Sequence, residues 1–215
     1  MSTYGTMQSR IASELRRTGI ESDIRNAIQE AILLEEVEPY YFNQARAEAT
    51  TVAGQARYAV PTDFQIMRSL KALISSSWWV IEPRTYGELE YEHVRDATVG
   101  QPEIYAIWDQ RFRLWPVPNE AYTLELSYIK SLSALSADGD TNAWMVDGEP
   151  LIRYMAKAIV LRNIIQGTEA DAMAEGQEAQ ASRARDRLRK EYQRRTATGS
   201  VRPWGFGGLG RAGAR

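Results

Sequence analysis

The stretch Glu149-Pro150-Leu151-Ile152-Arg153-Tyr154-Met155-Ala156-Lys157-Ala158-Ile159-Val160-Leu161-Arg162-Asn163-Ile164-Ile165-Gln166 decides how this chain must fold. At helical spacing its apolar residues leave only Arg153, Lys157, Arg162 and Asn163 to face water, an arc wider than a surface helix needs. It is predicted to be a core helix covered from several sides. Pro150 suits the first turn, where a missing N–H costs nothing, and the Glu149 carboxylate favours the helix N-terminus. Gly167 is expected to close the helix in a left-handed conformation. The apolar run is too short and too interrupted by Arg and Lys to span a bilayer, which takes about 20 residues, so no membrane partner is expected.

The residues that cover this helix lie at both ends of the chain. In 1–39, Ser9 or Thr6 is expected to cap a first helix running to Arg17, with Ile11 and Leu15 on one face and Gly19 at its close. Ser22 or Glu21 opens a second, in which Ile24, Ala27, Ile28, Ala31 and Ile32 form an apolar stripe; Pro39 stops it. In 131–196, a polar loop from Ser131 to Asn142 precedes the core helix, and Thr168 to Arg195 reads as a long helix rich in Ala, Glu and Arg. Met173, Leu188 and Tyr192 are too sparse for a heptad seam, so that helix is expected to lie on a partner or another helix along a narrow line.

Between these parts, residues 40–130 change period. Tyr40, Phe42, Ala49, Thr51, Ala53 and Arg57 to Val60 alternate loosely, with Gly54-Gln55 read as a hairpin turn. Met67 to Ile74 and Trp78 to Ile81 flank Ser75 to Ser77, and Ile104 to Trp108 and Phe112 to Trp115 flank Asp109-Gln110, as two further hairpins. Tyr122 to Ile129 alternates as a half-buried strand. Thr85, with Glu88 three residues on, has the spacing of a capping box and opens a short helix. The fold class is therefore α+β: a helical bundle built from the N- and C-terminal helices, a β-rich insertion with a short helix, and an extended C-terminal arm over 197–215.

The 215 residues carry a net charge of −2 that hides an asymmetry. Ten of the 26 Lys and Arg but only two of the 28 acidic residues fall in residues 183–215, an acidic body with a basic end. Absence of cysteine excludes disulfides and thiolate metal sites, and the N-terminus lacks a basic-then-apolar secretion pattern, which places synthesis in a cytoplasm. Few groups remain for catalysis, and the chain is expected not to be an enzyme. The single histidine, His93, lies near the end of the short helix, where a cation suits the helix C-terminus. Asp138, Asp140, Asn142 and Glu149 occupy positions 1, 3, 5 and 12 of a calcium loop, but Ala143 stands where that loop needs glycine, so a solvated turn is expected and no metal or cofactor. Glu35, Glu36 and Glu38, and Glu88, Glu90 and Glu92, read as solvated acidic faces, and Trp78, Trp79, Trp108, Trp115 and Tyr128 as core or interface packing.

The basic end carries the stronger signal. Arg183 to Arg195 reads as a solvated helix face or, with the Arg/Gly tail, as a non-specific nucleic-acid contact through phosphates. Arg202, Pro203, Trp204, Gly205 and Phe206 combine stiff backbone, aromatic anchors and a forked cation, the residue types that dominate docking onto protein pockets.

Several short runs occur in a recognisable order: Gly54-Gln55-Ala56-Arg57-Tyr58-Ala59-Val60-Pro61-Thr62-Asp63-Phe64, Gly100-Gln101-Pro102 with Tyr105, Leu114-Trp115-Pro116-Val117-Pro118, and Leu126-Ser127-Tyr128. In this order the chain resembles the head-to-tail connector (adaptor) proteins of tailed bacteriophages. The resemblance implies a structural virion protein at the neck between head and tail. Such proteins assemble as a homo-oligomeric ring, commonly of twelve copies, under the portal protein, join it to tail or nozzle proteins, and let genomic DNA pass through the lumen without specific binding. It also implies that 197–215 is the portal-binding arm, with Arg202, Pro203, Trp204, Phe206 and Arg211 as its anchors. An acidic body suits a channel wall that must not grip DNA. The competing reading is a nucleic-acid-binding accessory protein that uses residues 183–215.

Overall fold

A computed structural model describes residues 2–95 and 98–196, with the backbone alone for 92–95. Six helices and nine strands form among the described residues, in an α+β arrangement with two principal cores.

The first core is helical. α1 (Tyr4–Leu15) and α2 (Glu21–Glu35) pack on α5 (Glu149–Val160), with the short α4 (Ala143–Val146) ahead of it and α6 (Thr168–Thr196) along its other side. α5 touches all four, as its wide apolar arc requires: Leu151, Ile152, Ala156 and Val160 are fully buried. It ends in a π turn over Leu161–Ile165, and positive φ begins at Gln166, one residue before the expected Gly167. α6 lies against α5 along the narrow line of Ala170, Ala174, Ala181 and Leu188, so the sparse seam is made chiefly of alanines that let two helices approach closely. α1 begins earlier than expected: Thr3 is its cap, with Thr6 reciprocating. The loop before α4 covers that end, where the N–H groups of Tyr4 and Gly5 donate to the carbonyls of Asp140 and Asp138 at 2.8 and 2.9 Å. A Cβ on Gly5 would lie 2.7 Å from that of Asp138, so only glycine permits the approach.

The second core lies inside a curled sheet whose strand order is β1-β9-β3-β4-β6-β7-β2. β1 (Gln44–Thr50) pairs along its length with β9 (Thr123–Lys130), which also pairs antiparallel with β3 (Phe64–Ile74). β3 turns into β4 (Ser77–Pro83) through Ser75 and Ser76, both at positive φ. β4 then pairs in parallel with β6 (Ile104–Trp108) at Glu82 and Pro83 only, across α3 (Tyr86–Arg95). β6 and β7 (Arg111–Trp115) form the expected hairpin at Asp109 and Gln110, and β2 (Arg57–Ala59) closes on β7. A separate parallel pair joins β5 (Val99–Gly100) and β8 (Val117–Pro118).

Gly54-Gln55 does not make a hairpin, because β1 and β2 are the two edges of the sheet rather than neighbours. A flat sheet would hold those edges about 29 Å apart, six spacings of about 4.8 Å. The connection from Thr50 to Arg57 reaches at most about 25 Å. The sheet must curl, and its concave side buries Leu70, Leu124, Leu126, Phe112 and Leu114. Tyr58 fastens the connection: its hydroxyl accepts from the Val52 N–H at 3.0 Å and donates to the Gln55 carbonyl at 2.7 Å. Tyr58→Phe is expected to cost about 1 kcal/mol and to speed hydrogen exchange at the Val52 amide, read by native-state exchange.

Tyr40 and Phe42, expected to begin the strand region, belong instead to the helical core. Phe42 stacks on Tyr40 at 5.4 Å, and both meet the buried Trp144 ring edge-on. Pro39 had separated them from α2 in sequence, but the chain doubles back against the same core.

Candidate assembly surfaces

Arg153 and Lys157, assigned to water by their charge, are buried. They face Glu14 of α1: Arg153 Nη1 donates to both carboxylate oxygens at 2.8 Å and Lys157 Nζ to one at 2.7 Å. Arg153 Nε donates to Glu149 at 3.0 Å, one turn earlier on α5. Burial alone would push the Glu14 carboxyl up, but the Lys157 hydrogen bond and the two nearby cations outweigh it and hold the group below its usual value. The i, i+4 spacing of Glu149 and Arg153 was the available sequence signal; the partner from α1 was not.

The acidic cluster at the end of α2 is likewise not a solvated face. Glu35 is buried, receives the Arg185 guanidinium from α6 and accepts from the Tyr40 hydroxyl. Glu38 pairs with Arg189 at 2.9 Å, and Arg195 lies 3.8 Å above the Tyr41 ring. Three arginines of the basic segment are thus spent on fixing where α6 ends. Arg183, Arg187, Lys190 and Arg194, the last 4.0 Å from Glu191, line a groove of about 1100 Å³ between α5 and α6, whose lining has six basic side chains and three acidic ones. There the Tyr41 hydroxyl is pushed up to about 12, by burial and by its hydrogen bond to Asp147.

The chemistry-bearing candidates are scattered. Asp140 caps the amides of Ser136 and Ala137, Asp138 pairs with Arg25, Asn142 caps α4 and Glu149 holds Arg153, so the calcium-template residues serve four separate tasks. Thr85 and Glu88 form the expected capping box. Glu90 pairs with Arg113 and, at 3.9 Å, Arg57, a correction to its solvated reading. The His93 and Glu92 side chains lie outside the described residues. So do Arg202, Pro203, Trp204, Phe206 and Arg211, the anchors expected in the arm.

Two exposed apolar surfaces stand out, one at tryptophans read as core or interface packing and one, on α2, that the sequence did not signal. Trp78, Trp79 and Val80 of β4 are all exposed, with Trp79 at 60%, and Leu33 and Leu34 of α2 stand 66% and 57% exposed. Among the described residues no other large apolar side chains adjacent in sequence are both so exposed. Beside Leu33 lies a concavity of about 220 Å³, lined by Ile32, Glu36, Leu132, Leu135 and Trp144. Contiguous exposed apolar side chains of this kind mark surfaces for association or ligand binding. Among the described residues no helix is long and apolar enough to cross a membrane.

No curated protein matches the chain. The sequence profile of the SU10 adaptor protein matches residues 2–204, nearly the whole chain, including both cores and part of the basic end. A profile match of that extent shows that the chain belongs to the SU10 adaptor protein family, structural adaptor proteins of phage and components of the virion.

Proposed function

We propose that this chain is the head-to-tail connector subunit of a tailed phage: it forms a ring, on the order of twelve copies, under the portal protein and joins it to tail or nozzle proteins around the DNA channel. The observation that carries this reading is the family match across residues 2–204. In this reading the helices of 1–39 and 131–196 are the body, 40–130 is the insertion, and 197–215 is the docking arm with Arg202, Pro203, Trp204, Phe206 and Arg211 as anchors. The ion pairs of Arg185 with Glu35 and Arg189 with Glu38 support it, because they fix the direction in which α6 delivers the arm. The subunit is structural and not an enzyme, and DNA passes without specific binding.

The groove with six basic and three acidic side chains favours a second reading, a nucleic-acid contact through 183–215. Co-sedimentation with a purified portal ring separates the two. Full-length protein is expected to bind saturably whether or not DNA competes, and a chain ending at Thr196 to lose that binding while keeping its circular dichroism. Equal binding by the truncated chain would remove the arm from the docking role. Capture by DNA that collapses with salt, without portal binding, would favour the accessory protein.

A further inference from the structure

The sheet carries an arginine cluster on the face turned away from the second core. Along β7, Phe112 and Leu114 belong to that core, so the alternating Arg111 and Arg113 point the other way. Strand register sets Arg57 of β2 directly opposite Arg113, and Trp108 of β6 directly opposite Arg111. With Tyr86 of α3 and Asp109 of the hairpin turn, these four side chains line a cavity of about 270 Å³. Like charges facing one another across strands oppose folding, and here they are only partly answered. Glu90 of α3 pairs with Arg113 and, at 3.9 Å, with Arg57, whereas Arg111 has no ion-pair partner among the described residues. Arg113 is only 6% exposed, and its Nε makes no hydrogen bond among the described residues. Three guanidinium groups set against the carboxylates of Glu90 and Asp109 leave the cluster with excess positive charge. Burial and the charge of Arg57 push the Arg113 guanidinium below its usual value, and the Tyr86 hydroxyl acts the other way.

We propose that this cavity binds the phosphate group of a nucleotide, with the Trp108 ring as the platform for its base. One arginine fork satisfies both oxygens of a carboxylate, so three converging arginines exceed what a carboxylate needs and suit the larger set of acceptor oxygens on a phosphate. A phosphate also brings the negative charge that the cluster lacks. Trp108 stacks on Tyr86 at 5.3 Å and is otherwise exposed, which leaves aromatic surface beside the arginines. Cations next to an open aromatic ring hold a nucleotide by its charged part and its flat part together. Phosphate contacts carry no sequence information, so such a site agrees with DNA passing without specific binding. It lies on the β-rich insertion and depends neither on the ring nor on residues 183–215.

Full-length protein would be titrated by calorimetry with deoxyadenosine monophosphate, deoxyadenosine, inorganic phosphate and a short oligothymidylate. Saturable binding of the monophosphate is expected, weaker binding of inorganic phosphate, and none of the nucleoside. Arg111→Ala should weaken the monophosphate roughly tenfold by removing a charged donor, without lowering the thermal midpoint of the free chain, because it also removes an unpaired like charge. Trp108→Ala should cost about tenfold as well, the worth of one stacked base, and bring the monophosphate down to inorganic phosphate. A chain carrying Arg183→Ala and Arg187→Ala should bind like wild type. No Arg111-dependent binding of either the monophosphate or the oligonucleotide would overturn the site, as would binding lost only in the Arg183→Ala, Arg187→Ala chain. Equal binding of inorganic phosphate and monophosphate, unchanged by Trp108→Ala, would overturn the nucleotide assignment. The source follows from the oligonucleotide: Arg111-dependent binding tighter than that of the monophosphate supports a single strand, and binding no tighter supports a free nucleotide.

Discussion

Trp144→Ala is expected to remove about 4 kcal/mol of stability, within the range for truncating a fully buried tryptophan. Trp144 is the largest fully buried side chain of the described residues, and its ring meets Tyr40 and Phe42 edge-on at 5.5 and 5.0 Å. Those aromatics sit on the segment that leaves α2 for β1, so the indole ties the helical core to the start of the sheet. Helix α4 is too short to shift and refill the space. Behind it a Cβ on Gly148 would lie 2.7 Å from the indole, so the backbone there is already in close contact. A domain stabilised by about 5–15 kcal/mol loses a large share of its margin. Urea unfolding followed by near-ultraviolet circular dichroism measures the effect. A loss below about 1 kcal/mol would mean that the site collapses around the missing ring.

Glu14→Ala comes next, at about 3 kcal/mol. Among the described residues Lys157 then keeps the Tyr154 ring, 4.8 Å away, and Arg153 keeps Glu149 and the same ring, with both cations still buried. The value stays at the low end of the range for broken buried pairs because Glu14 itself is part-exposed and water can enter. The pH dependence has a definite sign. A carboxyl held lower in the folded protein than in the unfolded chain contributes stability that is present above its unfolded value, about 4.3, and lost as pH falls through its folded value. The difference between wild type and Glu14→Ala should therefore be full at neutral pH and shrink as the pH drops below about 5. A gap that held constant down to pH 2 would show that the carboxylate does not carry the effect. Pairing Glu14→Leu with Lys157→Met should recover much of the loss, since apolar replacement removes the stranded charge along with its partner. Glu36 has the opposite sign: burial raises it, so ionisation opposes folding, and Glu36→Gln is expected to stabilise the free subunit most at neutral pH.

Local rules were enough wherever a feature depended on a few consecutive residues. The turn at Ser75 and Ser76, the hairpin at Asp109 and Gln110, the Thr85–Glu88 box and the alternation of Leu124, Leu126 and Tyr128 all stand where spacing placed them. The family was legible because its short runs keep their order along most of the chain, and the profile match covers the same ground. Charge misled at Arg153, Lys157 and Glu35, because hydropathy treats a charge as wet and takes no account of a partner delivered from another helix. At Trp78 and Trp79 the sequence left core and interface packing open, and their exposure removes the core alternative, since composition reports which residues can be buried and not whether anything covers them.

The sequence by itself determined the α+β class, the core helix at 149–166, the basic end and the family. Each follows from periodicity, composition or motif order, which are properties of the chain before it folds. Only the tertiary structure decided that β1 and β2 are opposite edges of one curled sheet, that Glu14 meets Arg153 and Lys157, and that Glu35 meets Arg185 across 150 residues. It alone left Trp78 and Trp79 of β4 and Leu33 and Leu34 of α2 in water. The physical reason is common to all of these: they are pairings between segments distant in sequence, set by loop reach and by which surfaces pack together, and no local spacing encodes either.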